Sequence, residues 1–459
     1  MKLLKYILIV PLLLSASCED SNIAAITEGT PLAEVPIKGL SPDELMDKAQ
    51  KESLKYFWEY ANTNSKLALE RVHFDETGYD NNLVATGGSG FGLMNLLVAD
   101  KRGLRDPEDV FYRIQTALNF LQTADRFHGA WPHWMNGITG KVVPFFGKDN
   151  GGDLVETAFL CEGLICIREY YKNGNSAEKA VAQQADNLWK GVEWDWYTNG
   201  KNVLIWHWSP NYGFEINNEL RGYNEALVVY TLAAASPTHP ISKIVYTEGW
   251  SRSGGIANSS KKFGIPVIVD HAGASGSVGP MFFSHYSFLG LDPRGLKDEF
   301  VNYGDAVVNH SKIEHEYSVQ NPNKWAGYSD SVWGLTASES RNADGSTGYW
   351  AHSIESDKGV ITPTAAISDL PYTFEESIKF LKYVYEKDAK NLVGVCGPYD
   401  AFSIHYNWYT KRYLAIDQGT ISPMIENYRS GLLWNLFMNA PDVRQGLINL
   451  GFHSTQHGF

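Results

Sequence analysis

A chain of 459 residues with 44% hydrophobic and 20% charged residues carries enough apolar material for a large core, which excludes extended disorder. Its formal net charge of −13, with no long basic run, argues against nucleic acid and against a strongly polyanionic substrate. Aromatic residues make up 13% of the chain, and many stand in Gly- and Asn-rich segments between helical patterns, where they are expected to line a cleft as well as fill a core.

Residues 1–17 read as a targeting signal. Lys2 and Lys5 give a basic start, Ile7 to Leu14 an apolar run too short to span a bilayer, and Ser15-Ala16-Ser17 a small-residue cleavage site. Cys18 follows at once, as in a bacterial lipoprotein signal, so Cys18 is expected to carry lipid; an ordinary secretory signal is the alternative. Residues 18–40 then form a flexible tether and residues 41–459 one large domain, since no Pro/Ser-rich linker interrupts them. The expected place is the bacterial cell envelope, with membrane contact only through the N-terminal lipid.

Helical patterns dominate the rest. Ser41 to Asn62 opens with Ser41 and Glu44 at capping-box spacing and Pro42 at the first helical position. Further helices are expected at Gly90 to Lys101, Asp109 to Asp125, Asp153 to Tyr171, Ala177 to Val192, Glu219 to Ala235 and Ile241 to Trp250. Others follow at Gly295 to His315, Trp333 to Ser338, Phe374 to Lys387, Ile421 to Met438 and Val443 to Leu450. Strand signals are few: Val267 to Val269, Lys141 to Phe146 and Gly359 to Thr362. Helix hairpins with aromatic loops gathered at one end predict an all-α fold, an (α/α)6 toroid with a few short strands.

Two stretches carry chemistry. Trp206 to Leu227 (WHWSPNYGFEINNELRGYNEAL) sets Trp206, Trp208, Tyr212, Phe214 and Tyr223 around His207, Glu215, Glu219 and Glu225. Flat rings stack on pyranose faces, and a carboxyl among them has its charged form disfavoured, so it can donate a proton near neutrality. The pattern is that of a sugar-cleaving site, in which one carboxyl protonates the leaving oxygen and another activates water or attacks the sugar. Glu225 is the first choice as acid; a dipole-favoured position near a helix start explains it equally well from residue type alone. DNGGDLVETAF supplies Asp153 and Glu156, three apart on one helix face, a spacing that also suits a capping box. Asp400, after Gly397 and Pro398, is a candidate water-activating base or a turn residue. For Asp417 and Glu426, capping and ion pairing with Arg429 are the expected uses.

Cys161, Cys166 and Cys396 have no disulfide or metal-ligand spacing. His73, His133, His207, His271, His285 and His405 are scattered, so no metal is expected. Ser275, after Gly273-Ala274, lacks the strand-to-helix context of a hydrolase elbow.

Taken together, ATGGSGFGLMNL (85–96), GAWPHWMNGITG (129–140), GGDLVETAF (151–159), WHWSPNYGFEINN (206–218), GYNEAL (222–227), FFSHYSFLGLDPR (282–294), WGLTAS (333–338), PTAAISDLPYT (363–373) and AIDQGTISPMIENYRSGLLW (415–434) resemble the glycoamylase-like domain family, which includes glycoside hydrolase family 144. The resemblance covers roughly residues 45–450. It implies an (α/α)6 barrel, no cofactor, and inverting hydrolysis of β-1,2-glucan, either within the chain or from an end with release of sophorose. It places the catalytic acids at Asp153, Glu156 and Glu225, with Asp400 a further candidate for activating water. Trp131, Trp134, Trp206, Trp208, Tyr212, Trp333 and Trp408 are the expected sugar platforms, beside His207 and Tyr223. The expected partner is β-1,2-glucan or another neutral glucan, acted on by a monomer. The rival readings are a glycan-binding lipoprotein without catalysis, a polysaccharide lyase, and a hydrolase of another glucan linkage.

Overall fold

The computed structural model describes residues 39–459; Cys18, the signal and all of the expected tether up to residue 38 lie outside the described residues. The described chain is mostly helical. Its first helix, Pro42–Glu59, forms the expected capping box: Ser41 Oγ accepts from the Glu44 N–H, and the Glu44 carboxylate accepts from the Ser41 N–H. Among the described residues no helix is long and apolar enough to cross a membrane.

Five helices are buried on nearly every side: Thr86–Lys101, Leu154–Tyr171, Leu227–Ala235, Pro363–Ser368 and Ala415–Ser430. They pack on one another, the 86–101 helix touching both the 154–171 and 415–430 helices, the 154–171 helix reaching 227–235, and 415–430 reaching 363–368. Helices Pro107–Thr123, Ser176–Lys190 and Phe374–Lys382 instead bury one stripe (Val110, Ile114, Ala117, Leu118 and Leu121 in the first) and lie outside their partners. All-round burial thus marks the inner helices, polar residues of 415–430 included, and a single buried stripe the outer ones.

Close approach of two inner helices explains the glycines of ATGGSGFG. A Cβ at Gly90 would stand 2.2 Å from the Phe159 carbonyl oxygen and 2.5 Å from Leu160 Cα, and one at Gly163 would stand 2.5 Å from the Gly90 oxygen. Backbone meets backbone there, with no side chain to swing aside. Gly90→Ala is expected to destabilise the fold by about 3 kcal/mol through overpacking, read as a lowered denaturant midpoint with unchanged slope.

The strands are short and do not form a core sheet. Leu83–Ala85 pairs with Trp134–Asn136, Gly152–Asp153 with His207–Trp208, and Arg71–His73 with Arg412–Leu414. In each pair one strand runs directly into the N-terminus of an inner helix, at Thr86, Leu154 and Ala415. The ladders therefore hold three helix starts and their loops together at one end of the helical frame.

Several elements depart from expectation. No helix begins at Glu219: after the His207–Trp208 strand, residues 209–226 stay a loop tied down by the Ile205–Glu219 and Tyr223–His271 bridges, and the helix starts at Leu227. The helix expected from Gly295 starts at Tyr303, because Leu296–Lys297 pairs with His453–Ser454. Trp333 to Ser338 is not helical; Gly334 has φ +113°, and Ala337–Arg341 forms a hairpin with Thr347–Ala351. The 421–438 helix starts earlier, at Ala415, and breaks at Gly431, whose φ is +66°. Strand Ile265–Pro266 precedes the expected Val267 to Val269, and Ile361 makes only a single bridge, to Phe402.

Candidate active site

A cavity of about 330 Å³ lies at the gathered helix starts. Its walls carry Glu156 and Glu225, His133, Glu70 and Arg71, and the rings of Trp134, Phe145, Trp206, Phe282, Tyr286 and Tyr349. Glu225 stands two residues before the 227–235 helix, at the end of the aromatic loop, and is 7% exposed. Burial, then the nearby Glu156 and Asp153 charges, push its carboxyl up to about 7.

Asp153 caps the 154–171 helix: its Oδ1 accepts from the Val155 and Glu156 N–H groups at 3.0 and 2.9 Å and from Trp206 Nε1 at 2.8 Å. Its Oδ2 lies 2.8 Å from His133 Nδ1. Burial works against the charged form of Asp153, but the bond and the charge of His133 hold its carboxyl below the usual range. The reciprocal half of a capping box is absent. Glu156 turns away, accepts from the Gly87 N–H at 2.7 Å and faces the cavity. Burial raises Glu156 to about 7, with the His133 charge and the Gly87 bond opposing.

His133 is the group that the sequence did not single out. Burial favours its neutral form, but Glu156, the Asp153 bond and Asp149 together raise it to about 9, so it is imidazolium at neutral pH. It enters through the strand Trp134–Asn136, which pairs with the one leading into the 86–101 helix, and Phe145 stacks on it at 4.1 Å. One ligand atom each of His133, Asp149 and Asp153 lie within 4.8 Å of one another, a spacing a metal ion can use. The His133–Asp153 bond accounts for the contact, and an ion there would have to displace a firmly held proton.

The other expected residues divide into wall, backing and core. Trp134 and Trp206 line the cavity. His207 stacks beside Trp206 and stands 3.6 Å from Asp153 Oδ2, behind the wall; burial holds it neutral. Trp208 packs edge-on against His128, Tyr212 is an exposed loop ring near Lys148, and Trp408 is half-buried in a two-residue strand. Trp131, Trp333 and Tyr223 are corrections to the platform reading: each is fully buried and offers no ring face to a sugar. Arg126 covers Trp131 at 3.9 Å, Trp333 sits in the core beside His315, and the Tyr223 hydroxyl bonds Ser284.

Asp400 lies behind the cavity wall rather than on it, 1% exposed, with Oδ2 accepting from the Glu339 N–H at 2.7 Å. Asp417 is buried beside it and accepts from Tyr286 at 2.8 Å. The pairing expected with Arg429 does not form: Arg429 bonds Asp47 and Gln50, and Glu426 bonds Arg102.

The glycoamylase family model, described as "Putative glucoamylase", matches residues 217–441. An endo-β-1,2-glucanase from Chitinophaga pinensis, solved with sophorotriose and glucose, is 50% identical with a TM-score of 0.87, over 91% of this chain and 99% of that one. An exo-β-1,2-glucooligosaccharide sophorohydrolase (non-reducing end) from Parabacteroides distasonis is 39% identical over 430 residues, 89% of this chain; the chain spans 58% of that relative's length. An endo-β-1,2-glucanase from Talaromyces funiculosus, 12% identical with a TM-score of 0.63, shares the fold. By its likeness to the Chitinophaga enzyme along almost that enzyme's whole length, the chain belongs to the glycoamylase-like domain family, in glycoside hydrolase family 144.

Proposed function

We propose that this protein is a glycoside hydrolase that cleaves β-1,2-glucosidic bonds with Glu225 as general acid. The observation that carries this reading is a buried pair of carboxyls, Glu225 and Glu156, on an aromatic-walled cavity and both held near 7. Two acids that repel each other do not ionise together; the first to lose its proton keeps the other protonated. Glu156 is the one to ionise, because its carboxylate has the Gly87 N–H and the His133 imidazolium to support it. Glu225 has no cationic partner among its influences and keeps the proton. The pair thus divides into an acid for the leaving oxygen and a base for water, with Asp153 anchoring His133 behind the base.

The relatives that act on β-1,2-glucan support that linkage, and the rings of Trp134, Trp206 and Tyr349 suit neutral pyranose faces. The order of helix neighbours supports an (α/α)6 toroid closed around the cavity. Inversion follows the family resemblance. Incubation with linear β-1,2-glucan, followed over time by mass spectrometry, tests the reading. Sophorose alone from the start means chain-end action, and a ladder means internal cleavage. No shortening by folded protein sinks the assignment; a glucan bound but never cut leaves a binding protein.

The signal-like residues 1–17, followed by Cys18, support a lipid-anchored envelope protein. Cys18→Ala is expected to move the protein from the membrane fraction to the soluble envelope fraction; an unchanged distribution rejects the anchor.

A further inference from the structure

We infer that Asp400 and Asp417 form one shared-proton carboxyl pair that positions Tyr286 in the cavity wall, with Asp400 its neutral, proton-donating member. The inference rests on the hydrolase reading for its kinetic part only.

Both carboxyls are buried, Asp400 1% and Asp417 2% exposed. Each has one oxygen already engaged: Asp400 Oδ2 by the Glu339 N–H, and Asp417 Oδ1 by the Tyr286 hydroxyl, which donates to it. Each also has one buried oxygen, Asp400 Oδ1 and Asp417 Oδ2, that no donor of the protein reaches, and each carboxyl bears on the ionisation of the other. Two carboxylates cannot satisfy one another, because both only accept. One proton between the orphaned oxygens satisfies both and removes one of two buried like charges.

The surroundings say which member carries it. Glu339, itself buried, adds a third acid, against the guanidinium of Arg71 at 3.0 Å and of Arg412 at 3.7 Å; Glu70 pairs with the same Arg71. The cations here are too few to keep every acid ionised, and Arg412 is shared further with Asp75 and Glu76. Asp417 has the Tyr286 hydroxyl to support its charge; Asp400 has only a backbone N–H. Burial and then the Asp417 charge push Asp400 well above the usual carboxylate range, whereas Asp417 is raised to about 7.

The consequence is directional. Asp417 accepts the one hydrogen bond that the Tyr286 hydroxyl can donate, which leaves the Tyr286 oxygen an acceptor rather than a donor toward the rest of its surroundings. The ring is held between Phe91, Phe159 and Phe282, all within 5.6 Å centroid to centroid. Asp400 and Asp417 are then positioning residues, and Asp400 does not activate water.

Asn mimics a protonated Asp, with its Nδ2 donating where the acid O–H donated. Asp400→Asn is therefore expected to keep kcat/KM on β-1,2-glucan within about threefold and Tm within about 2 °C. Asp417→Ala and Tyr286→Phe, which both remove the Tyr286–Asp417 hydrogen bond, are expected to lower kcat/KM by the same factor, about tenfold, and the double variant to lower it no further. A loss of two orders of magnitude in kcat for Asp400→Asn at unchanged Tm makes it the ionised base and overturns the proposal. Additive losses in the double variant overturn the Tyr286 link. If wild-type protein cleaves no glucan, Tm still decides: Asn tolerated at 400 and not at 417 supports the shared proton, and the reverse rejects it.

Discussion

Glu225→Gln is expected to lower kcat on β-1,2-glucan by about 10³-fold while leaving KM within a few-fold of its value, as removal of a general acid does. The amide keeps the size of the side chain and loses the proton. Burial without a cationic partner holds the Glu225 proton to about 7, so in the wild-type enzyme kcat/KM should fall as pH rises through that value. On the other side it should fall as pH drops and Glu156, raised by burial to about 7 against the His133 charge and the Gly87 bond, takes up its proton. The resulting bell reports the coupled pair rather than either residue. In Glu225→Gln the alkaline limb should vanish while the acidic limb stays. Near-normal turnover in the variant, or an alkaline limb that persists unchanged, rejects Glu225 as the acid.

What the sequence showed of this site follows from how local each feature is. Asp153 and Glu156 stand out because a Gly-Gly-Asp start to an apolar run marks a helix N-terminus, and Asp153 is indeed the cap. The turn of Glu156 toward Gly87 depends on a helix 69 residues earlier in the chain, so a capping box was the natural local reading. Glu225 was recognisable by its aromatic company, but not its seat in a loop, because the bridge from Tyr223 to His271 overrides a helical pattern. Trp131, Trp333 and Tyr223 show why ring-rich motifs overcount platforms. Trp131 lies in the same motif as the cavity-lining Trp134, and only tertiary packing decides which ring faces space. The hairpin after Gly334 was hidden for a related reason: Ala337–Arg341 reads ASESR, without β-branched or aromatic residues, and pairs because its partner strand and the buried Asp400 hold it. His133 looked like one of several scattered histidines; its partner is 20 residues away, at another helix start.

Asp153→Asn should separate the two tasks of that residue. An asparagine Oδ1 still accepts from Val155, Glu156 and Trp206, so the helix cap survives. At the other oxygen an NH₂ group now faces His133 Nδ1, and two donors cannot bond. His133 must give up its Nδ1 proton, and its pKa should fall from about 9 to below 7, observable by NMR. The stability of that imidazolium is fully present below pH 6.5 and lost as pH rises through about 9, so the variant should be less stable at neutral pH, by about 2 kcal/mol, with the gap narrowing above pH 9. The kinetic effect is the larger one. Without the imidazolium, Glu156 loses its main cationic support and stays protonated at neutral pH, so no base is ready for water. Turnover at pH 7 should fall by about 10²-fold, and part of it should return as pH rises, until Glu225 in turn loses its proton. A variant whose His133 still titrates near 9, or whose acidic limb does not move upward, would show that Asp153 serves the cap alone and that Glu156 owes its charge to something other than His133.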